Sequence, residues 1–198
     1  MEYGSRVRFT LFAVIGIVFV ILSAWGIISI SRRVFGSNNT TKSSVAKINL
    51  DDYIKSDTLF SLDLQGPIVA NEQYVSATIE VTQDYRQITV YKGYEKTVVS
   101  QKRYQNNNAA YEAFVKALKK FNYSGKVTGV DIDEVGNCAT GQRFVYTLSN
   151  VDENVIHTWS TSCSTKAGNF AGAATSVRSL YKAQIPDYKT MTTGLAIQ

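Results

Sequence analysis

The chain has 198 residues, of which 44% are hydrophobic and 19% charged, with a formal net charge of +5. Its two cysteines and single histidine exclude zinc sites of the Cys₄, Cys₂His₂ and His₃ types and a scaffold held by many disulfides. The length suffices for one packed domain, and the composition is too mixed for a chain that is disordered throughout.

The first predicted element is a transmembrane helix over residues 9–30, which follows a short tail of residues 1–8. The run contains no charged residue, and as a helix it would measure about 33 Å, close to the thickness of the hydrocarbon core of a bilayer. No clear cleavage site follows it, so we interpret it as an uncleaved anchor that binds the lipid bilayer. A cleaved signal peptide and a buried core helix are the alternatives.

A flexible polar linker is predicted over residues 31–44, then an extracytoplasmic domain over 45–190 and a tail over 191–198. Two arginines precede the anchor and four basic residues follow it within the next 17 residues, and this count alone favours a cytoplasmic domain. Long domains are translocated largely regardless of charge, and the cysteines favour an oxidising compartment. We therefore predict a single-pass cell-membrane protein with its C-terminal domain outside.

The residues Arg8-Phe9-Thr10-Leu11, followed by the apolar run, resemble the start of a type IV pilin. Such pilins have a glycine before the phenylalanine and a glutamate five residues into the mature chain. Arg8 and Ala13 occupy these positions here. A pilin-like or secretion-assembly component is therefore the alternative to a plain membrane anchor.

Four successive runs in the predicted domain alternate hydrophobic and polar residues, as half-buried strands do. Their connections are too short for crossovers, so they predict an antiparallel meander. The runs cover residues 59–64, 74–81, 86–91 and 97–104. An amphipathic helix follows, with an N-cap among Asn106–Asn108 and Gly125 after its end. Its apolar face comprises Tyr111, Phe114, Val115, Leu118 and Phe121.

The second half repeats the order of strands and helix. Residues 143–148 and 154–159 predict a hairpin, and a second helix ends before Pro186. Its predicted face comprises Phe170, Ala173, Ala174, Val177, Leu180 and Tyr181. The pattern β-meander–α–ββ–α indicates an α+β two-layer sandwich, an antiparallel sheet with two helices on one face.

The two cysteines lie equally far from the predicted centre of this hairpin, between Asn150 and Val151. In a hairpin without a bulge, Cys138 and Cys163 would face each other, which predicts a disulfide. Such a bond adds about 3 to 4 kcal/mol on the chain-entropy model and persists in an oxidising compartment. Two buried free thiols are the alternative.

Basic and aromatic residues recur on the first meander, a combination that binds anionic glycans or single-stranded nucleic acid by charge and stacking. An exposed sheet face has the same composition, because cross-strand tyrosines and edge lysines stabilise strands. We expect an envelope protein, a peptide or a glycan as the partner, and no nucleic acid. The predicted binding surface comprises Tyr85, Arg86, Tyr91, Lys92, Tyr94, Lys96, Arg103 and Tyr104.

No set of residues with catalytic spacing emerges from the sequence. His157 is interpreted as a surface or packing residue in a strand, since no nucleophile or acid can be assigned to it. Residues 131–136 resemble the start of a calcium loop, but Val135 and Gln142 stand where that loop needs ligands. We therefore predict a non-enzymatic protein without metal or cofactor.

Four segments together resemble a group of uncharacterised, surface-anchored single-pass envelope proteins of small-genome bacteria. They are Gly66–Glu72, Gly136–Arg143, Trp159–Cys163 and Gln184–Tyr188. The resemblance covers about residues 45–188 and implies an extracytoplasmic domain, and it brings no activity with it. The resulting hypothesis is a membrane-anchored binding or scaffold domain of the cell envelope.

Overall fold

The computed structural model describes residues 48–54, 57–131, 133–151, 153–164 and 167–197. The predicted tail, anchor and linker (1–8, 9–30 and 31–44) lie outside the described residues. Within the part of the chain that is described, no helix combines the length and the hydropathy needed to cross a bilayer.

The described residues form one antiparallel sheet of six strands in the order β4-β3-β2-β1-β5-β6. The α+β class and the antiparallel sheet predicted from the sequence are therefore confirmed. The last two strands extend the sheet on the far side of β1, which places β1 near its centre. The strands are β1 Leu59–Gln65, β2 Val75–Val81, β3 Tyr85–Lys92, β4 Thr97–Gln105, β5 Arg143–Asn150 and β6 Glu153–Thr161.

Three α-helices and one short 3-10 helix accompany the sheet in the described ranges. The 3-10 helix spans Leu50–Tyr53, and the α-helices are α1 Asn108–Lys120, α2 Ala174–Ala183 and α3 Tyr188–Thr192. Helix α1 begins as predicted, because the side chain of Asn107 caps it by accepting a hydrogen bond from Ala110 N at 2.9 Å. The turn after α1 needs a left-handed residue, and Asn122 (φ 55°) supplies it before Gly125.

The core lies between the helices and one face of the sheet, and it is rich in aromatic rings. Phe60 of β1 is fully buried, with its ring centroid 6.1 Å from that of Tyr111, 5.9 Å from Phe114 and 5.7 Å from Tyr123. The hydroxyl of Tyr123 donates to Thr147 O at 3.0 Å. Burial raises the pKa of the Tyr123 phenol well above its ordinary value, so it stays a neutral donor.

Helix α2 starts later than the sequence predicts, at Ala174. Phe170 N donates to Trp159 O at 2.9 Å, and Ala173 N donates to Phe121 O at 2.9 Å. Because other segments accept these N–H groups, the residues before Ala174 are not helical: Gly168 and Phe170 lie beside β6, and Ala173 bonds the residue that follows α1. Their apolar side chains nevertheless serve the core, since Phe170 is 7% exposed.

Residues beyond the predicted domain end at 190 also contribute to the core. Ile197 is 1% exposed, and its carbonyl oxygen accepts a hydrogen bond from the Tyr188 hydroxyl at 3.1 Å. The side chain of Gln142 donates to Ala196 O at 2.6 Å. The described part of the C-terminal segment is thus held against the sheet by hydrogen bonds and by an apolar side chain.

The predicted disulfide between Cys138 and Cys163 is confirmed, with a Cα–Cα distance of 5.7 Å. The hairpin symmetry invoked for it is wrong, because Arg143 pairs with Thr161 and the register shifts at a bulge. Cys138 lies five residues before Arg143, whereas Cys163 lies two after Thr161. The segment between Cys138 and Arg143 forms a turn, in which Gly141 N donates to Cys138 O at 3.0 Å. A Cβ on Gly141 would lie 2.6 Å from the Cys138 sulfur, so this turn requires glycine.

Candidate functional site

Side chains alternate across each strand, so the sheet has a second face opposite the helices, which we call the polar face. The strand register aligns its residues in rows that run across all six strands. One row comprises Arg103, Gln87, Glu80, Ser61, Thr147 and His157. The next row comprises Gln101, Thr89, Thr78, Asp63, Val145 and Trp159. The first row is entirely polar.

Hydrogen bonds connect the polar-face side chains of β2, β3 and β4. Gln87 donates to Glu80 Oε2 at 3.0 Å and accepts from Arg103 Nε at 2.7 Å. Gln101 donates to the hydroxyl of Thr89 at 3.1 Å. Gln87 and Thr89 are only 7% and 4% exposed. The outer side chains therefore rest on buried polar partners, which hold them in fixed orientations.

Two carboxylates lie diagonally on the adjacent strands β1 and β2. Asp63 accepts a hydrogen bond from the Thr78 hydroxyl at 2.6 Å. Burial raises the pKa of Glu80 above its ordinary value, the Arg103 guanidinium lowers it, and the charge of Asp63 raises it further. The result is a face that offers acceptors in its middle strands and a guanidinium donor on the edge strand.

Aromatic rings lie at both ends of β3 on the polar face. The guanidinium carbon of Arg103 stands 4.0 Å from the centroid of the Tyr85 ring, a cation–π contact. At the other end, the ammonium nitrogen of Lys96 lies 5.8 Å from the Tyr91 ring centroid. Stacking surface and positive charge thus flank the hydrogen-bonded network.

A loop covers the polar face near the beginning of β5. Glu134 accepts a hydrogen bond from Gln65 at 2.6 Å, and Arg143 donates to the carbonyl oxygen of Cys138 at 3.4 Å. The indole N–H of Trp159 donates to Asp131 O at 2.9 Å. The Cys138–Cys163 bond ties this loop to the end of β6. The polar network of β2–β4 makes its described hydrogen bonds within the sheet, away from this loop.

The eight residues of the predicted binding surface do not form one surface. Four of them lie on the polar face by register or contact: Tyr85, Tyr91, Lys96 and Arg103. Tyr104 lies on the helix side, where its hydroxyl donates to Asp187 Oδ2 at 3.0 Å. Arg86 alternates to the same side and donates to Gln105 O at 3.0 Å.

The remaining two residues lie at the end of the β3–β4 hairpin. The Tyr94 ring stacks on Tyr74 at a centroid distance of 4.1 Å, and its hydroxyl donates to Val69 O at 2.8 Å. Lys92 is exposed at the last position of β3. Both therefore belong to the hairpin turn and its support, apart from the polar network.

The polar residues at the centre of the network were missing from the sequence prediction. Glu80, Gln87 and Thr89 occupy the non-hydrophobic positions of runs that the sequence identifies as strands. Their period of two was the available signal, because it places them on one face together. Basic and aromatic residues lie only at the flanks of this network, whose centre consists of an amide, a hydroxyl and a carboxylate.

The loop that resembles a calcium site has structural partners instead. Asp133 accepts from Val135 N at 3.2 Å, and Glu134 bonds Gln65. Across the described ranges, no group of three or more His, Cys, Asp and Glu side chains is placed to hold a metal ion. His157 is exposed in β6 beside Thr147.

In comparisons with known proteins, the chain matches no protein-family model, no curated protein and no solved structure.

Proposed function

We propose that this chain is a membrane-anchored extracytoplasmic binding domain of the cell envelope, non-enzymatic, which binds a glycan on the polar face of its sheet. The observation that carries the proposal is the network in which Gln87 joins Glu80 to Arg103. Its orientation is fixed before a ligand arrives, which reduces the entropy cost of binding.

The chemistry of the face favours a glycan among the partners considered. Sugar hydroxyls donate and accept hydrogen bonds, and here the carboxylates of Asp63 and Glu80 alternate with amide and guanidinium donors. The Arg103 guanidinium, stacked on the Tyr85 ring, offers planar hydrogen-bond donors to the hydroxyls of a sugar. A peptide that added a strand would use the backbone of an edge strand, whereas this network lies on the face.

The membrane anchor and the outside orientation have separate support. The uncharged run of residues 9–30 matches the thickness of a bilayer core. The Cys138–Cys163 disulfide is of a kind that persists in oxidising compartments. Both features agree with a domain presented at the outer side of the cell membrane.

The test is a binding measurement with the full-length chain reconstituted in phosphatidylcholine discs. Purified envelope polysaccharides and their oligosaccharides serve as probes, and calorimetry measures affinity. We expect Gln101→Ala combined with Arg103→Ala to weaken binding about tenfold or more, since each removes a hydrogen-bond donor worth roughly 1 kcal/mol. Lys116→Ala combined with Lys120→Ala, on exposed positions of α1, is the control. Equal affinity in both variants, or no binding to any glycan, would overturn the proposal.

A pilin-like or secretion-assembly component is the second candidate, favoured by Arg8-Phe9-Thr10-Leu11. It requires cleavage before Phe9 in the native organism. Mass spectrometry of the N-terminus of the membrane-extracted protein decides between the two, because an intact Met1 or a removed Met1 alone contradicts cleavage at Phe9.

A further inference from the structure

A cleft of about 690 Å³ lies between the end of α2 and the short helix α3, within the range of about 300–1,000 Å³ that small-molecule sites occupy. Its wall is mainly apolar and includes Ala183, Ile185, Pro186 and Tyr188. Two lysines, Lys182 and Lys189, also line it. The cleft is on the helix layer, so it is separate from the polar face.

The sequence creates this cleft by interrupting the helix. Pro186 has no N–H to continue α2, and the chain starts again as α3 at Tyr188. The walls are anchored on both sides of the break, since Ile185 is 2% and Tyr188 is 7% exposed. The Tyr188 hydroxyl donates to Ile197 O at 3.1 Å, which fixes the aromatic wall.

Positive charge is concentrated at the edge of the cleft. The Lys182 ammonium lies 5.0 Å from the centroid of the Tyr188 ring. Arg178 precedes Lys182 by one helical turn, with its guanidinium carbon 4.2 Å from the Phe144 ring centroid. Like charges at this spacing destabilise a helix. Partial burial, and to a lesser extent the neighbouring Arg178, lower the pKa of Lys182, because both disfavour its charged form.

In the described part of the chain, none of the side chains that line the cleft is acidic, so none balances these charges. Among the described residues, no carboxylate forms an ion pair with Arg178, Lys182 or Lys189. Asp187 lies beside Pro186 in sequence, but it bonds Lys102 and Tyr104. A ligand that brings its own anion would therefore find ammonium groups that no described carboxylate neutralises, above an apolar wall.

We propose that the cleft binds an anionic amphiphile, with a carboxylate or phosphate head group held by Lys182 and Lys189 and an alkyl chain packed on Ile185, Pro186 and Tyr188. Such a head group forms charge-assisted hydrogen bonds, and the chain gains by leaving water. A free fatty acid and an anionic phospholipid share this chemistry.

The experiment is photo-crosslinking of the full-length chain in phosphatidylcholine discs. The probes are a diazirine-bearing hexadecanoic acid, the matching hexadecanol and a diazirine-bearing phosphatidylglycerol, and mass spectrometry locates the labelled residues. We expect the acid or the phosphatidylglycerol to label residues 182–193 about tenfold more than the neutral alcohol does. Labelling by the acid alone identifies a free fatty acid as the source, and labelling by the phosphatidylglycerol identifies a membrane lipid.

Two variants test separately the charge and the open volume of the cleft. Lys182→Gln combined with Lys189→Gln removes the charges, and Ala183→Trp fills the cleft while keeping them. We expect each to reduce labelling of residues 182–193 about tenfold, whereas the control Lys120→Gln combined with Lys126→Gln leaves it unchanged. Equal labelling by the alcohol, or equal labelling in the charge variant and its control, would overturn the proposal.

Discussion

The two faces of the central strand β1 differ from one residue to the next. Phe60, Leu62 and Leu64 point to the helices and are fully buried, whereas Ser61 and Asp63 point to the polar face and are partly exposed. Backbone pairing is the same for both sets, since each residue pairs with β2 on one side and β5 on the other. The difference therefore lies in the side chains alone.

This comparison separates the side chains that stabilise the fold from those of the proposed binding face. Burying an apolar side chain contributes about 1.5–3 kcal/mol, whereas a typical hydrogen bond contributes about 0.5–1.5 kcal/mol net. The helix side thus supplies most of the driving force for folding. Substitutions on the polar face are consequently expected to cost less stability than substitutions in the core.

Truncating the largest side chain of β1 on the helix side gives the largest expected effect. We expect Phe60→Ala to lower the free energy of unfolding by about 3–5 kcal/mol, because it removes contacts with three aromatic rings and leaves a cavity. Ser61→Ala, one position further on the polar face, should change it by less than about 0.5 kcal/mol. Urea denaturation under oxidising conditions measures both. Similar losses in the two variants would break the contrast between the faces.

Removing the disulfide tests how firmly the loop near the beginning of β5 is held on the polar face. We expect Cys138→Ser combined with Cys163→Ser to cost about 3 kcal/mol, because the unfolded chain regains the entropy of an open loop. Hydrogen exchange should also become faster in residues 133–138, while the β2–β4 network keeps its protection. An unchanged exchange rate in the loop would mean that Arg143 and Trp159 hold it without the bond.

The smallest effect concerns the charge of Glu80. Its pKa is raised in the folded state by burial, so the folded chain binds the proton more tightly than the unfolded chain does. The contribution of Glu80 to stability therefore falls as pH rises from its ordinary pKa of 4.5 through the raised value.

We expect Glu80→Gln to remove this decline and to raise stability near pH 7 by less than about 1 kcal/mol, since solvent screens a half-exposed carboxylate. Unfolding free energies between pH 4 and pH 7 measure it, with Glu72→Gln at an exposed carboxylate as the control. A steeper fall with pH in Glu80→Gln than in the unsubstituted protein would contradict the assignment.

The positions of the strands along the chain and the first helix could be predicted because local patterns determine them. Period-two alternation identifies β1 to β6, and Asn107 with the stripe from Tyr111 to Leu118 identifies α1. The start of α2 could not be predicted, since Phe170 and Ala173 have helical spacing in the sequence. Their backbone groups bond Trp159 and Phe121, partners that only the tertiary structure brings near.

The two candidate sites also differ in whether local patterns or tertiary contacts determine them. The polar face could be predicted from the sequence, because short hairpin connections and the two-residue alternation of side chains determine the strand registers. The cleft at Pro186 could not, because the sequence indicates only that a helix stops there. The walls of the cleft depend on the tertiary position of α3. They also depend on Ile197, which is buried and accepts a hydrogen bond from Tyr188.

The bond between Cys138 and Cys163 converts the β5–β6 hairpin into a covalent ring. Val151, at the exposed tip of that ring, is 76% accessible and is the natural place for a protease to cut. A single cut there would leave both products joined through sulfur and held by the ladder with β1. The nicked protein would migrate as one chain on a non-reducing gel and as two on a reducing gel, so such damage would not release a fragment.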